Sequence, residues 1–222
     1  MKRIDQYKLV IWDLDGTLYY QKPFRLKMLL VLLTKLALNP FHWKELRVIF
    51  YYRRLREKWD AMDAQADLEE RQYEACAKKC GCKGKEVENI IKRWMQEEPL
   101  VHLKAYQDEQ AAKLIGQLRS EGVLNAVYSD YPTADKLEAL GISVDRQFCS
   151  ADSQISCMKP NPKGILYILD AMGIQAEDAL MIGDRMEKDG EAAKAAGVDW
   201  LILSAVKASR NTQYSKIIKG RL

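Results

Sequence analysis

An apolar run, Leu9-Val-Ile-Trp12, stops abruptly at Asp13-Leu-Asp-Gly-Thr17, which delivers two carboxylates, a glycine and a hydroxyl to one turn. Consecutive apolar, partly β-branched residues that end at a polar, Gly-containing corner read as a buried strand running into a turn. The carboxyl end of such a strand is where open α/β sheets place ligands. Asp13 and Asp15 repel each other, and a bound divalent cation such as Mg2+, which takes hard oxygen ligands, resolves that repulsion. Taken alone, the string also fits an ordinary Asp- and Gly-rich strand-end turn.

The remainder of the chain decides between the two. From residue 106 onward strand-like and helix-like stretches alternate: a helix over about 108–121, a strand at 123–129, a helix over 132–140 and a strand at 147–151. A helix opening at Asn161-Pro162, a strand at 179–182, a helix near 187–196 and a strand at 199–203 follow. Such alternation predicts parallel βαβ units. Asp108 is a candidate N-cap, Pro162 suits a first helical turn, and Gly122, Gly141, Gly173 and Gly197 each follow a helical stretch. Residues 20–100 break the pattern and read as helices over 24–38, 41–62, 68–80 and 85–96. The spacing thus predicts an α/β fold with an all-helical segment inserted after the first strand. The basic stretch 207–222 reads as a frayed tail or a final helix.

At 222 residues, 48% hydrophobic and 30% charged, the chain has the composition of a globular protein able to bury a core. The start, Met-Lys-Arg-Ile-Asp-Gln-Tyr-Lys, has no apolar h-region or small-residue cleavage site, which predicts a cytoplasmic protein. Five cysteines, an odd number, fit a reducing compartment better than a disulfide framework. Cys76, Cys80 and Cys82 lie close together, but a structural zinc site wants four ligands, so buried thiols are expected. Charge is uneven: residues 18–104 hold 18 Lys+Arg against 12 Asp+Glu, within an overall excess of only +4.

Three further strings complete a set. Ser129 closes Val-Leu-Asn-Ala-Val-Tyr-Ser, Lys159 sits in Met-Lys-Pro-Asn-Pro162, and Gly183-Asp-Arg-Met-Glu-Lys-Asp189 follows the strand at 179–182. With Asp13-Leu-Asp-Gly-Thr17 they resemble, in order, the four motifs of the haloacid dehalogenase (HAD) superfamily, over residues 9–189. The resemblance implies a Rossmann-like parallel-sheet core, residues 1–18 and 105–222, with a helical cap at 19–104. It also implies a Mg2+-dependent phosphatase in which Asp13 is the nucleophile and forms an aspartyl-phosphate. Asp15 would act as acid and base, which calls for a carboxyl that is part-time protonated, and crowding beside Asp13 should raise its pKa. Mg2+ would be held by Asp13, the main-chain carbonyl of Asp15 and Asp184, while Ser129 and Lys159 hold phosphoryl oxygens. Thr17 would orient the loop, and Asp189 would orient Lys159 or a metal-bound water, or else act as a helix N-terminal charge. Within the family, Asp15 favours phosphoryl transfer over carbon–halogen cleavage. Asp130 departs from the Asn that often follows the second-motif Ser or Thr. It is expected to face the substrate's leaving group or the backbone of Tyr131-Pro132.

The implied partner is a small phosphorylated metabolite, with a phosphomutase of the same family as the alternative enzyme. A basic regulatory or membrane-associated binding module is the alternative outside enzymes. Drawn as a helix, 41–62 puts Phe41, Val48, Tyr52, Leu55 and Trp59 on one stripe with Lys44, Arg47, Arg54 and Lys58 beside it. Residues 22–56 carry nine Lys+Arg and only Glu45 as acid, next to the apolar run 26–38. That run is too short to span a bilayer, which needs about 20 apolar residues. Such a surface suits a packed cap face with solvated basic stems, and alternatively contact with anionic lipid or with a substrate bearing an apolar tail. No nucleic-acid reader motif is present. Sequence leaves the substrate and the oligomeric state open.

Overall fold

The computed structural model describes residues 2–38, 43–59 and 67–219. Strand β1 (Leu9–Trp12) is followed by α1 (Gln21–Leu38), α2 (Trp43–Glu57), α3 (Leu68–Cys80), α4 (Gly84–Ile91) and the short α5 (Leu100–Leu103). Then come α6 (Glu109–Ser120), β2 (Leu124–Ser129), α7 (Ala134–Leu140), β3 (Arg146–Cys149) and α8 (Lys163–Met172). The chain continues through β4 (Ala179–Gly183), α9 (Glu191–Ala195), β5 (Asp199–Ile202) and α10 (Lys207–Ile218). The strands form one parallel sheet in the order β3-β2-β1-β4-β5.

Because β1 sits centrally, all four of its residues are fully buried, which is why it reads as an unbroken apolar run. Val10 and Trp12 face α6, α7 and α10 on one side, while Leu9 and Ile11 face α8 and α9 on the other. The chain leaves β1 towards β2 on one side and β4 on the other, so the crevice beyond Trp12 is the switch point of the sheet. One buried polar pair sits inside this core. Asn125 on β2 accepts a hydrogen bond from Trp12 Nε1 at 2.9 Å and donates to the Val123 carbonyl at 2.9 Å.

Residues between β1 and β2 build a separate apolar cluster in which Leu32, Val48, Tyr52, Cys76, Val87 and Trp94 meet. Cys76 and Cys80 lie within it as buried free thiols. Asp108 caps α6 through Oδ1, which accepts from Gln110 N and Ala111 N, as the sequence predicts. Gly141 closes α7 in the left-handed region at φ +65°.

Two helices depart from expectation. The helix expected over 85–96 changes to π-helical hydrogen bonding at Lys92–Glu97, and the one expected near 187–196 opens with a π turn at Met186–Gly190. Side-chain periodicity carries no signal for either. The stretch after 206 is an ordered helix, α10, anchored by Arg210, Tyr214 and Ile217, each at most 2% exposed. Phe41, part of the expected apolar stripe, lies outside the described residues. Trp43 and Phe50 of α2 are exposed, and Arg56, one of the nine basic residues of 22–56, is 2% exposed.

The Trp12–Asn125 pair gives a test. Asn125→Leu strands a buried indole N–H and should cost about 1–3 kcal/mol, since an unmade buried hydrogen bond carries the full desolvation penalty. In urea denaturation, adding Trp12→Phe should make the double variant less destabilised than the two single losses added together.

Candidate active site

Every motif residue predicted from sequence converges beyond the carboxyl ends of β1, β2 and β4. Asp13 extends β1, its N–H bonding the Ile182 carbonyl of β4 at 2.8 Å, so its carboxylate is fixed by the sheet itself. Lys159 Nζ lies 2.6 Å from Asp13 Oδ1 and 2.6 Å from Asp189 Oδ1, and it is 2% exposed. Thr17 Oγ1 donates to Asp13 Oδ2 at 3.1 Å. Asp189 is therefore a partner of Lys159. The π turn carries it back over β4, and its Oδ2 accepts the Arg185 N–H at 3.1 Å. A side chain on Gly183 would collide with the Asp189 carboxylate, and one on Gly16, at φ +110°, would collide with that of Asp184. Both glycines thus admit acids to the crevice, and Gly16 also adopts backbone that other residues avoid.

Carboxylate oxygens of Asp13, Asp184 and Asp189 lie within 4.8 Å of one another. Against this concentration of negative charge Lys159 is the ammonium in direct contact with two of the acids, while Lys188, also lining the crevice, donates to the Lys159 carbonyl at 2.8 Å. Burial and the neighbouring Asp189 push the Asp184 carboxyl up to about 6, and burial raises Asp13 well above the usual carboxylate range despite Lys159. Three hard oxygen donors under mutual repulsion are the donor chemistry that a divalent cation relieves.

Asp15 behaves differently from the expectation of a raised pKa. Burial pushes it up, but Lys136 Nζ at 2.6 Å outweighs this, and with Tyr19 OH and Ser129 Oγ also donating, Asp15 is held below its ordinary value. Crowding by Asp13 is thus answered locally. Asp130 also differs. Its Oδ1 accepts from Ser150 Oγ at 2.6 Å and from the Lys159 N–H at 3.0 Å, so it ties the loop after β2 to the Lys159 loop.

Four residues that the sequence reading passed over belong to this arrangement. Lys136 and Tyr19 grip Asp15. Arg56, from α2, donates to the Asp130 carbonyl and to Gln72 Oε1, and packs 4.3 Å from the Tyr131 ring centroid. Arg210, from α10, donates to the Gly16 carbonyl at 2.8 Å and the Thr17 carbonyl at 3.3 Å while pairing with Asp108 at 3.2 Å. A second link between α2 and the crevice is Glu57, paired with Arg185 at 3.1 Å. The space between the acids measures about 60 Å3.

The repulsion predicts a pH-dependent signature without metal. Asp184, near 6 when folded and near 3.8 when unfolded, destabilises the fold above pH 6 and ceases to do so as protonation sets in on acidification. In EDTA, Asp184→Asn should therefore melt higher than the parent at pH 8, with the gain shrinking below pH 6 and vanishing only as the pH falls below the unfolded value of 3.8. Added Mg2+ should raise the melting temperature of the parent protein and leave that of Asp184→Asn nearly unchanged.

Comparison with known proteins agrees with this geometry. A family model described as haloacid dehalogenase-like hydrolase matches residues 7–197. The phosphoglycolate phosphatase of Rhodospirillum rubrum is 32% identical over 97 residues, 42% of this chain and 40% of that protein. The glyceraldehyde 3-phosphate phosphatase of Methanopyrus kandleri is 34% identical over 100 residues, 44% of this chain and 42% of that protein. The matched stretch spans about two fifths of these relatives' length. Among solved structures, a 2-haloacid dehalogenase from Pseudomonas syringae superposes with a TM-score of 0.64 at 19% identity, covering 96% of this chain and 98% of that one. A predicted phosphoglycolate phosphatase from Haemophilus somnus gives 0.60 at 20% identity, covering 97% and 98%. Four ordered motifs meeting at the switch point of one sheet, within a family match over most of the sequence, lead to one conclusion: the chain belongs to the haloacid dehalogenase-like hydrolase family.

Proposed function

We propose that this protein is a Mg2+-dependent phosphatase that hydrolyses an organic phosphate monoester through a phosphorylated Asp13. The observation that carries this reading is the Asp13 carboxylate, fixed by the sheet and paired with Lys159, beside two further acids. The named activities of the curated relatives support it.

Asp13 and Asp184 would hold Mg2+ together with the Asp15 carbonyl, with Asp189 close by. When bound, the ion screens the repulsion between the carboxylates and an arriving phosphate. Lys159 neutralises a phosphoryl oxygen next to the attacking Asp13 Oδ, and the Ser129 hydroxyl turns from Asp15 to a second one. Asp15 begins as an anion, held so by Lys136. An anionic phosphate nearby and the departure of the Ser129 donor both raise its proton affinity, which suits it to protonate the leaving oxygen and afterwards to take a proton from the attacking water. Residues 19–104 act as a cap over the crevice, with Arg56 and the Glu57–Arg185 pair as the contacts that close it.

Phosphate release from p-nitrophenyl phosphate and from a panel of phosphorylated metabolites tests the proposal. Release should require Mg2+, fall at least about 1,000-fold in Asp13→Asn, and fall by roughly 100- to 10,000-fold in Asp15→Asn. Mg2+-independent release, or full activity in Asp13→Asn, would overturn it. A second variant probes the loop brace: Arg210→Met should lower kcat and leave Asp108 buried without its cation, costing about 3–5 kcal/mol of stability.

A further inference from the structure

A second cavity, of about 660 Å3, opens from the active site between α1, α2 and the π turn after α4. It shares Asp15, Gln21, Arg25, Glu57 and Tyr131 with the acidic crevice, so the two spaces are continuous. The far wall is apolar, built by Met28, Leu32, Leu46, Ile49, Trp94 and Met95. At the junction stand Arg25, Arg53 and Lys136. Lys136 serves Asp15, whereas Arg25 and Arg53 have no ion pair or hydrogen bond among the described residues. Each guanidinium lies near the other, and desolvation together with that neighbour holds Arg53 below its ordinary value.

The arrangement is graded: acids and Lys159 where the phosphoryl group would react, two guanidinium groups without a direct salt bridge at the junction, then an apolar chamber. Its volume falls within the roughly 300–1,000 Å3 of small-molecule sites, which are mainly apolar with a few placed polar groups. A two- or three-carbon phosphate would fill the acidic crevice and leave the chamber to water against apolar walls. Burying an alkyl chain there gains about 0.8 kcal/mol per methylene, or about fourfold in affinity.

Building on the phosphatase reading, we infer that the substrate is an amphiphile: a phosphate monoester whose apolar tail lies in the chamber between α1 and α2, with Arg25 and Arg53 at the head group. Further apolar surface stands outside the chamber on α1, where Leu26, Leu30 and Leu33 are 60%, 54% and 42% exposed. A tail taken from a bilayer and one taken from water use the same chamber.

The test is a series of n-alkyl monophosphates from ethyl to dodecyl, kept below their micelle concentrations, assayed with Mg2+ for phosphate release. We expect kcat/KM to climb at least 100-fold between ethyl and octyl, mostly through KM, and then level off. Leu29→Glu places a charge in the chamber wall and should flatten this climb, whereas Leu26→Glu, outside the chamber on the same helix, should keep it; melting curves confirm that both fold. Phosphatidate in phosphatidylcholine vesicles, run in parallel, separates the sources: its turnover assigns the tail to the bilayer, and turnover confined to monomeric esters assigns it to water. A series that varies less than threefold, with p-nitrophenyl phosphate still hydrolysed, overturns the tail assignment and leaves the phosphatase reading standing. If no ester releases phosphate, the phosphatase reading falls, and calorimetric titration of the alkyl phosphates decides the tail alone. Affinity rising with chain length upholds it, and flat affinity overturns it.

Discussion

The structure turns on a charge imbalance: three carboxylates gathered at the end of a buried sheet, with one ammonium, Lys159, wedged between two of them. In a region of low dielectric such a group of acids strongly resists full ionisation. The surroundings are organised around that strain. Gly16 and Gly183 make room for the acids, Thr17 and the Arg185 N–H orient them, and the parallel sheet supplies a rigid floor. Lys136 and Tyr19 remove Asp15 from the conflict by giving it partners of its own. The fold thus divides two neighbouring acids into unlike environments, Asp13 driven up and Asp15 held down. Separation of that kind allows carboxylates two residues apart to take different parts in one reaction.

Much of this was legible in the sequence because it is local. An unbroken apolar run predicts a central strand, alternation predicts parallel pairing, and four short strings predict which strand ends carry polar groups. What the sequence left hidden is long-range. Arg56 looks like one more basic residue on an amphipathic helix, and nothing in periodicity shows that its guanidinium turns inward to the Asp130 carbonyl. Lys136 is an ordinary helix residue until α7 is placed beside the loop after β1. Asp130 seemed an obstacle to phosphate, and the structure gives its carboxylate Ser150 Oγ and the Lys159 N–H instead. The π turn at Met186–Gly190 follows the same rule: it brings Asp189 to Lys159, a long-range contact that local propensity does not encode.

The helical segment between β1 and β2 shows how a charge pattern can mislead. Its surplus of Lys and Arg suggests a uniformly basic outer face, yet the cations divide by environment. Arg56 is internal, Lys35 and Lys44 pair with Glu98 and Glu86, and Arg25 and Arg53 stand at the cavity junction. Net charge is therefore a poor guide to what this layer recognises, and the positions of individual side chains are a better one. Among the described residues no helix is long and apolar enough to cross a membrane.

Arg210 joins parts of the chain that are 193 residues apart in sequence, its guanidinium closing on the carbonyls of Gly16 and Thr17. Contacts of that separation demand that the intervening chain be in place before they form. The turn that follows Asp13 is consequently not self-sufficient. Its shape is borrowed from a helix whose opposite face is open to solvent, and any binding event or modification that tugs on that face has a mechanical route to Asp13 without entering the crevice.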